Sequence, residues 1–140
     1  MIVSACLCGV PCRYDAKPWL VPELAALCES GEALAVCPEA EGGLPAPRPP
    51  CELINGRSFT KDGADCTEAF LAGAERTLAL AREYGIKLAV LKEKSPSCGS
   101  NFIYDGTFSG RLIPGRGLTA EFLARHGLIL ASDQNFRDFI

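Results

Sequence analysis

Histidine is almost absent: the 140-residue chain has only His126. That excludes every metal site built on two imidazoles and leaves at most one Cys–His pair. No apolar run approaches the ~20 residues that a membrane span requires. The N-terminus lacks a basic stretch followed by a long apolar one, so no secretory leader is visible. No C-x-x-C pair occurs, which argues against a zinc ribbon and against a thioredoxin-like redox site. Charge of one sign is scarce too: the net charge is −3, with acidic and basic residues interleaved. This disfavours a nucleic-acid polymer as partner but leaves a single base or nucleotide open. There is no internal repeat and no low-complexity segment. The expectation is a cytoplasmic protein, a single domain over residues 1–140, with neither a membrane nor a nucleic-acid polymer among its partners.

Cysteine is what the chain has in quantity. Eight thiols in 140 residues fall short of the ~8–10% of a small disulfide scaffold. A reducing compartment opposes disulfides, so metal binding or redox chemistry is the default for the clustered ones. Four short apolar runs, residues 2–5, 33–37, 87–92 and 128–131, read as buried strands. Pro22 and Gly31 bracket a predicted helix. A second helix is predicted over residues 67–84, with Asp65 and Glu68 as a capping box, and Thr119 is expected to cap a third that Gly127 closes. Residues 6–15 form a loop broken by Gly9 and Pro11. Residues 42–50 contain four prolines and read as a stiff loop holding Arg48 over the same surface as Glu39. Asn55-Gly56 signals a hairpin between residues 51–54 and 57–59. Residues 99–117 read as an ordered, glycine-rich loop with a short hairpin. Apolar strands alternating with helices indicate an α/β fold: a three-layer sandwich on a mainly parallel sheet, Rossmann/flavodoxin-like, with helices on both faces.

Ligands of open parallel sheets gather beyond the carboxyl ends of the strands. Cys6 follows the first predicted strand, Cys37 and Glu39 the second, and Ser95-Pro96-Ser97-Cys98-Gly99-Ser100 the third. If those strands are parallel neighbours, these groups share one rim, and Cys12 can return to it through the Gly-Pro loop. Three thiolates with an open position suit either a catalytic zinc or an iron–sulfur cluster. The thiol spacing over residues 6–12, one residue and then three between cysteines, is not a common zinc spacing, and the residues by themselves leave both centres open.

The ordered motifs Ser4-Ala5-Cys6-Leu7, Cys12-Arg13-Tyr14-Asp15, Cys37-Pro38-Glu39, Gly42-Gly43-Leu44-Pro45, Lys92-x-x-Ser95-Pro96-Ser97-Cys98-Gly99-Ser100 and Ile103-Tyr104-Asp105-Gly106 together resemble the DUF523 family. Its characterised members are thiouracil desulfurases. The resemblance spans essentially the whole chain. It implies a [4Fe-4S] cluster held by Cys6, Cys12 and Cys98, with the fourth iron open to the sulfur of a thiolated pyrimidine. It also implies Glu39 and Ser95 as the catalytic polar groups: Glu39 as general base or proton shuttle for water, Ser95 as orienting donor. The implied reaction is non-redox desulfuration to the oxo base with release of sulfide. Two positions depart from the family pattern: Cys8 stands where an aliphatic residue is usual, and Ala16 where glycine is. Cys8 and Cys37 are therefore competing ligand candidates. The alternative functions are a zinc-dependent hydrolase with a three-cysteine site and a small iron–sulfur carrier or redox protein.

Plainer readings apply to other residues. Cys28 is expected as core filler, Cys51 and Cys66 as structural thiols, and Cys37 as packing or support for a ligand. Arg48 and Lys92 are either surface charges or neutralisers of a cluster and an anionic substrate. Tyr14 and Tyr104 are expected to pack, and His126 to meet the carboxyl end of its helix.

Overall fold

The computed structural model describes residues 1–140. Four strands, β1 (Ile2–Ser4), β2 (Leu34–Val36), β5 (Leu88–Leu91) and β8 (Ile129–Ser132), make one sheet in the order β2-β1-β5-β8. All pairings are parallel, with Ile2 opposite Leu34 and Ala89, and Leu88 opposite Ile129. Side chains alternate across the sheet. Val3, Val90 and Ala131 face one side and pack with Leu24 and Phe136; Ile2, Ala89 and Leu91 face the other and pack with Leu78, Ala81 and Leu123. Helix α1 (Pro22–Glu29) thus covers one face, while α3 (Thr67–Glu83) and α4 (Leu118–Arg125) cover the other. This is the three-layer α/β arrangement expected from the alternating pattern. No helix is long and apolar enough to cross a membrane.

Two small antiparallel hairpins sit beside the sheet: β3 (Cys51–Ile54) with β4 (Arg57–Thr60), and β6 (Phe102–Tyr104) with β7 (Leu112–Pro114). The first turns at Asn55 and Gly56, both with positive φ (50° and 75°), as a type I′ turn requires. Residues 6–15 are more ordered than a plain loop, because Ala5–Cys8 winds into a 3-10 turn that Gly9 ends at φ 93°. Glu39 likewise lies within a helical turn, α2 (Pro38–Glu41), with Pro38 at its first position, where a missing N–H costs nothing.

Two capping expectations need correction. Cys66, not Asp65, occupies the cap position of α3. The Asp65 carboxylate instead accepts from the Thr67 N–H (2.9 Å) and pairs with Arg57 of the hairpin, and that cation sets its position. Thr119 is not the cap of α4 either. Gly117 is, and a Cβ there would sit 2.5 Å from the Ser97 carbonyl. The close approach lets Pro96 and Ser97 carbonyls accept the Leu118 and Ala120 amides (2.9 and 3.0 Å). The Thr119 hydroxyl is buried against that of Ser97, 2.8 Å away.

The two glycines Gly42 and Gly73 set a second close approach. A Cβ on Gly73 would lie 1.9 Å from the Pro38 carbonyl oxygen, and one on Gly42 would lie 2.0 Å from that of Ala69. Backbone against backbone, α3 therefore fixes the height of α2 and with it Glu39. Alanine in place of an exposed helical glycine stabilises by up to ~1 kcal/mol. Gly73→Ala should do the reverse and destabilise by about 1–3 kcal/mol through overpacking; chemical denaturation gives the sign, and a stabilised variant contradicts the contact.

Candidate functional site

In this sheet order β1 sits between β2 and β5: the chain goes from β1 out to β2 on one side, and the next sheet strand, β5, adds on the other. Crevices at such switch points are where α/β folds bind ligands. A cavity of about 490 Å³ opens there, bordered by Cys6, Cys12, Cys37, Cys98, Glu39 and Ser95. The structure thus brings together Cys6, Cys12, Cys98, Glu39 and Ser95, with Cys37 beside them. Cys6 comes from the 3-10 turn after β1, Cys37 and Glu39 from the β2–α2 junction, and Ser95 and Cys98 from the loop after β5. Cys12 reaches the rim because its segment is held from both sides. The guanidinium of Arg48 donates Nη1–H to the Cys12 carbonyl (2.9 Å), and the Cys37 thiol contacts the same oxygen at 3.8 Å.

The thiols are neighbours and buried. Cys98 is 5% exposed, and burial pushes it up to about 12 against the hydrogen bonds of Ser4 and Ser97. The Cys37 hydrogen bond pulls Cys12 down, but contact with Cys6 and burial outweigh it and leave Cys12 at about 11. Cys37 is raised by the Cys12 thiol and by burial. Cys51, also on the cavity wall, is pushed by burial to about 11, with Cys66 beside it. Cys8 is elsewhere. Its sulfur lies 2.6 Å from that of Cys28 on α1, and it does not border the cavity, so of the two competing ligand candidates only Cys37 is within the site.

Glu39 is pushed up by burial and pulled partly back by Arg48, whose Nη2 lies 3.1 Å from Oε2. Arg48 is no surface charge: its side chain is 6% exposed, and it also donates to the Pro45 carbonyl at 2.8 Å. Ser95 Oγ accepts the amides of Ser97 and Cys98 (3.1 and 3.0 Å), which shapes the Cys98 turn and leaves the hydroxyl proton to be donated elsewhere. Lys92 lies over the Trp19 ring, 4.4 Å from its centroid, with Arg13 at 5.2 Å. These stacked groups form one wall of the cavity. His126 is remote, its Nδ1 2.8 Å from the Phe122 carbonyl at the end of α4.

Glu93 is the residue that sequence reasoning missed. It is 2% exposed, and its carboxylate accepts the amides of Ser100, Asn101 and Phe102 (3.0, 3.0 and 3.1 Å), the Asn101 side chain (2.9 Å) and the Ser100 hydroxyl (3.3 Å). Asp133 in turn accepts the Glu93 amide at 2.8 Å. Flanked by Lys92 and Lys94, Glu93 reads as part of a charged surface run. The available signal was the row of loop amides after Cys98, which needs an acceptor.

The donor set matches the cluster that the resemblance implies. Thiols, soft donors once deprotonated, line a space beyond the strand ends rather than a point. No three His, Cys, Asp or Glu side chains converge as they would on one ion, so a three-cysteine zinc site is not preformed.

Burial alone would raise Glu93, but its amide and side-chain donors lower it on balance. A lowered carboxyl contributes stability above its ordinary value, about 4.5, and loses it as pH falls through the folded value. Glu93→Gln should destabilise by about 1.5–3 kcal/mol at neutral pH and flatten the acid side of the stability–pH curve. Denaturation curves at a series of pH values test this; an unchanged acid limb contradicts it.

Comparison with known proteins gives a consistent result. A family model described as 2-thiouracil desulfurase matches residues 1–135. The chain is 39% identical over 150 residues to the uncharacterized protein YbbK of Bacillus subtilis (strain 168), covering 100% of this chain and 99% of YbbK. It superposes on the solved structure of the [4Fe-4S]-dependent thiouracil desulfidase TudS with a TM-score of 0.94, at 46% identity, over 99% of this chain and 93% of that one.

Proposed function

The chain belongs to the 2-thiouracil desulfurase family, and from that premise we propose that it converts a thiolated pyrimidine to its oxo form, holding a [4Fe-4S] cluster on Cys6, Cys12 and Cys98. The observation that carries the residue roles is the shared cavity, where these three thiols meet Glu39 and Ser95. Held there by Cys6, Cys12 and Cys98, the cluster would supply a Lewis acid for the thiocarbonyl sulfur.

The chain's own groups do the rest. Arg48 holds Glu39 by Oε2, so Oε1 is the atom that takes a proton from the attacking water. Its raised carboxyl is a better base than an ordinary glutamate, whose conjugate acid is too strong near neutral pH. The Ser95 hydroxyl proton orients the water or the ring carbonyl. Trp19, stacked with Lys92, shields the reacting carbon from bulk solvent. The balance is thiocarbonyl plus water to carbonyl plus hydrogen sulfide, with no net electron transfer. The protein acts as one domain over residues 1–140, on a free base or small nucleoside derivative rather than a nucleic-acid polymer or a membrane. Eight free thiols suit a reducing compartment such as the cytoplasm.

Anaerobic reconstitution with iron and sulfide should give a brown protein that releases sulfide from 2-thiouracil. Cys6→Ser, Cys12→Ser and Cys98→Ser should each lose the visible absorption and the activity together. Glu39→Ala should keep the absorption and lose about 10²–10⁴-fold in kcat. Because Glu39 is raised, wild-type activity should fall as pH drops while still above the ordinary carboxylate range, and Glu39→Gln should show no such limb. Full activity in Glu39→Ala removes it from the mechanism.

A further inference from the structure

Two thiols outside the cavity remain unexplained. Cys8 ends the 3-10 turn that carries Cys6, and Cys28 lies on α1. Their sulfurs are 2.6 Å apart, well inside ordinary sulfur–sulfur contact, and both residues keep part of their surface open to solvent. The turn and the segment entering α1 are already tied by backbone: Trp19 N–H donates to the Cys6 carbonyl (2.9 Å) and Val21 N–H to that of Leu7 (2.8 Å). The Cys8 thiol also leans on the Leu24 carbonyl at 3.8 Å. No hinge is needed to bring the two sulfurs together.

We infer that Cys8 and Cys28 are an oxidisable dithiol, a covalent modification site separate from the cavity, whose disulfide clamps the Cys6 turn to α1. The oxidant is a low-molecular-weight disulfide such as glutathione disulfide. One thiolate attacks it and expels one glutathione; the other thiolate then displaces the second glutathione from the mixed disulfide. Two protein thiols become one disulfide, the glutathione disulfide is reduced to two thiols, and two protons pass from protein to glutathione. A cross-link spanning 20 residues restricts the unfolded chain and so raises the melting temperature. It also restrains the turn that holds Cys6, so iron held there should be lost more slowly.

The test uses the cluster-loaded protein, kept anaerobic, with glutathione disulfide. Alkylation and non-reducing peptide mapping should find the Cys8 and Cys28 peptides joined. Melting temperature should rise in wild type and not in Cys28→Ser, and Cys8→Ser should instead trap glutathione on Cys28. Iron release to a chelator should slow by several-fold in oxidised wild type relative to oxidised Cys28→Ser. If both thiols stay alkylatable, or if the only cross-link is Cys51–Cys66, the inference is overturned. If the cross-link forms but iron release is unchanged, the clamp on Cys6 is overturned. The cross-link does not depend on the cluster assignment, whereas the iron measurement does; a protein that takes up no iron but still joins Cys8 to Cys28 faults that assignment and not the dithiol.

Discussion

Glu93 carries a negative charge in a place where charge is costly, and no cation contacts its carboxylate. The compensation comes from backbone amides of residues 100–102 and two side chains. Each is a donor that the loop after β5 would otherwise leave without a protein partner. The exchange works both ways: the loop needs the carboxylate to hide its amides, and the carboxylate needs the loop to remain ionised. The chain accepts strain to make it possible. Lys94, directly after Glu93, has φ 69°, a left-handed conformation costing roughly 1 kcal/mol in a non-glycine residue. The curled loop delivers Cys98 and Ser95 to the cavity, and the Ser97–Thr119 hydroxyl pair and the Gly117 approach lock it to α4. The wall that holds Cys98 is thus built from a buried anion outward.

Glu39, the other carboxylate that organises this rim, is treated in the opposite way. It has one strong partner, the Arg48 guanidinium, and burial outweighs that partner, so its carboxyl is raised while that of Glu93 is lowered. The difference lies in the donors. A cluster of amides satisfies both oxygens of Glu93 and fixes it as structure; a single cation on one oxygen of Glu39 leaves the other available. Pairs of carboxylates pushed apart in this way are how a fold separates a scaffold from a proton carrier. Arg48 connects the two halves of the site, since the same guanidinium supports the Cys12 carbonyl.

How much of this was legible in the sequence follows from the range of each interaction. The four strands of the sheet, the Asn55-Gly56 hairpin and the helices from Pro22 and Thr67 are written in local apolar runs and turn residues, and all are present, although the edge strands β2 and β8 are only partly buried. The gathering of Cys6, Cys98, Glu39 and Ser95 was legible one step further on, because each follows a strand end and parallel strands end on the same side, while Cys12 returns to that rim through the Gly9-Pro11 loop. What could not be read depends on contacts between distant segments. Asp65 fits a capping box until Arg57 arrives from the hairpin. Thr119 resembles a cap until Gly117 admits the Ser97 backbone. Cys8 looks like a ligand beside Cys6 and Cys12, but a 3-10 turn swings it toward α1, and nothing in the spacing announces that turn. Glu93, between two lysines, has the appearance of solvated charge.

The same long range constrains how the site can form. Where thiol ligands lie close together in sequence, as in a zinc finger, metal can bind a short segment and drive its folding. Here Cys98 meets Cys6 and Cys12 only through the pairing of β1 with β5, and β1 is apolar on both faces, so it cannot be buried until α1 and α3 have packed on either side. The cavity therefore exists only once the three layers do. The Cys12 and Cys98 thiols meet as members of a finished core, Cys12 raised by contact with Cys6 and by burial and Cys98 by burial. A rim drawn from the β1–α1, β2–α2 and β5 connections also leaves the side lined by Glu39 and Ser95 open, which a contiguous motif wrapping its metal would close.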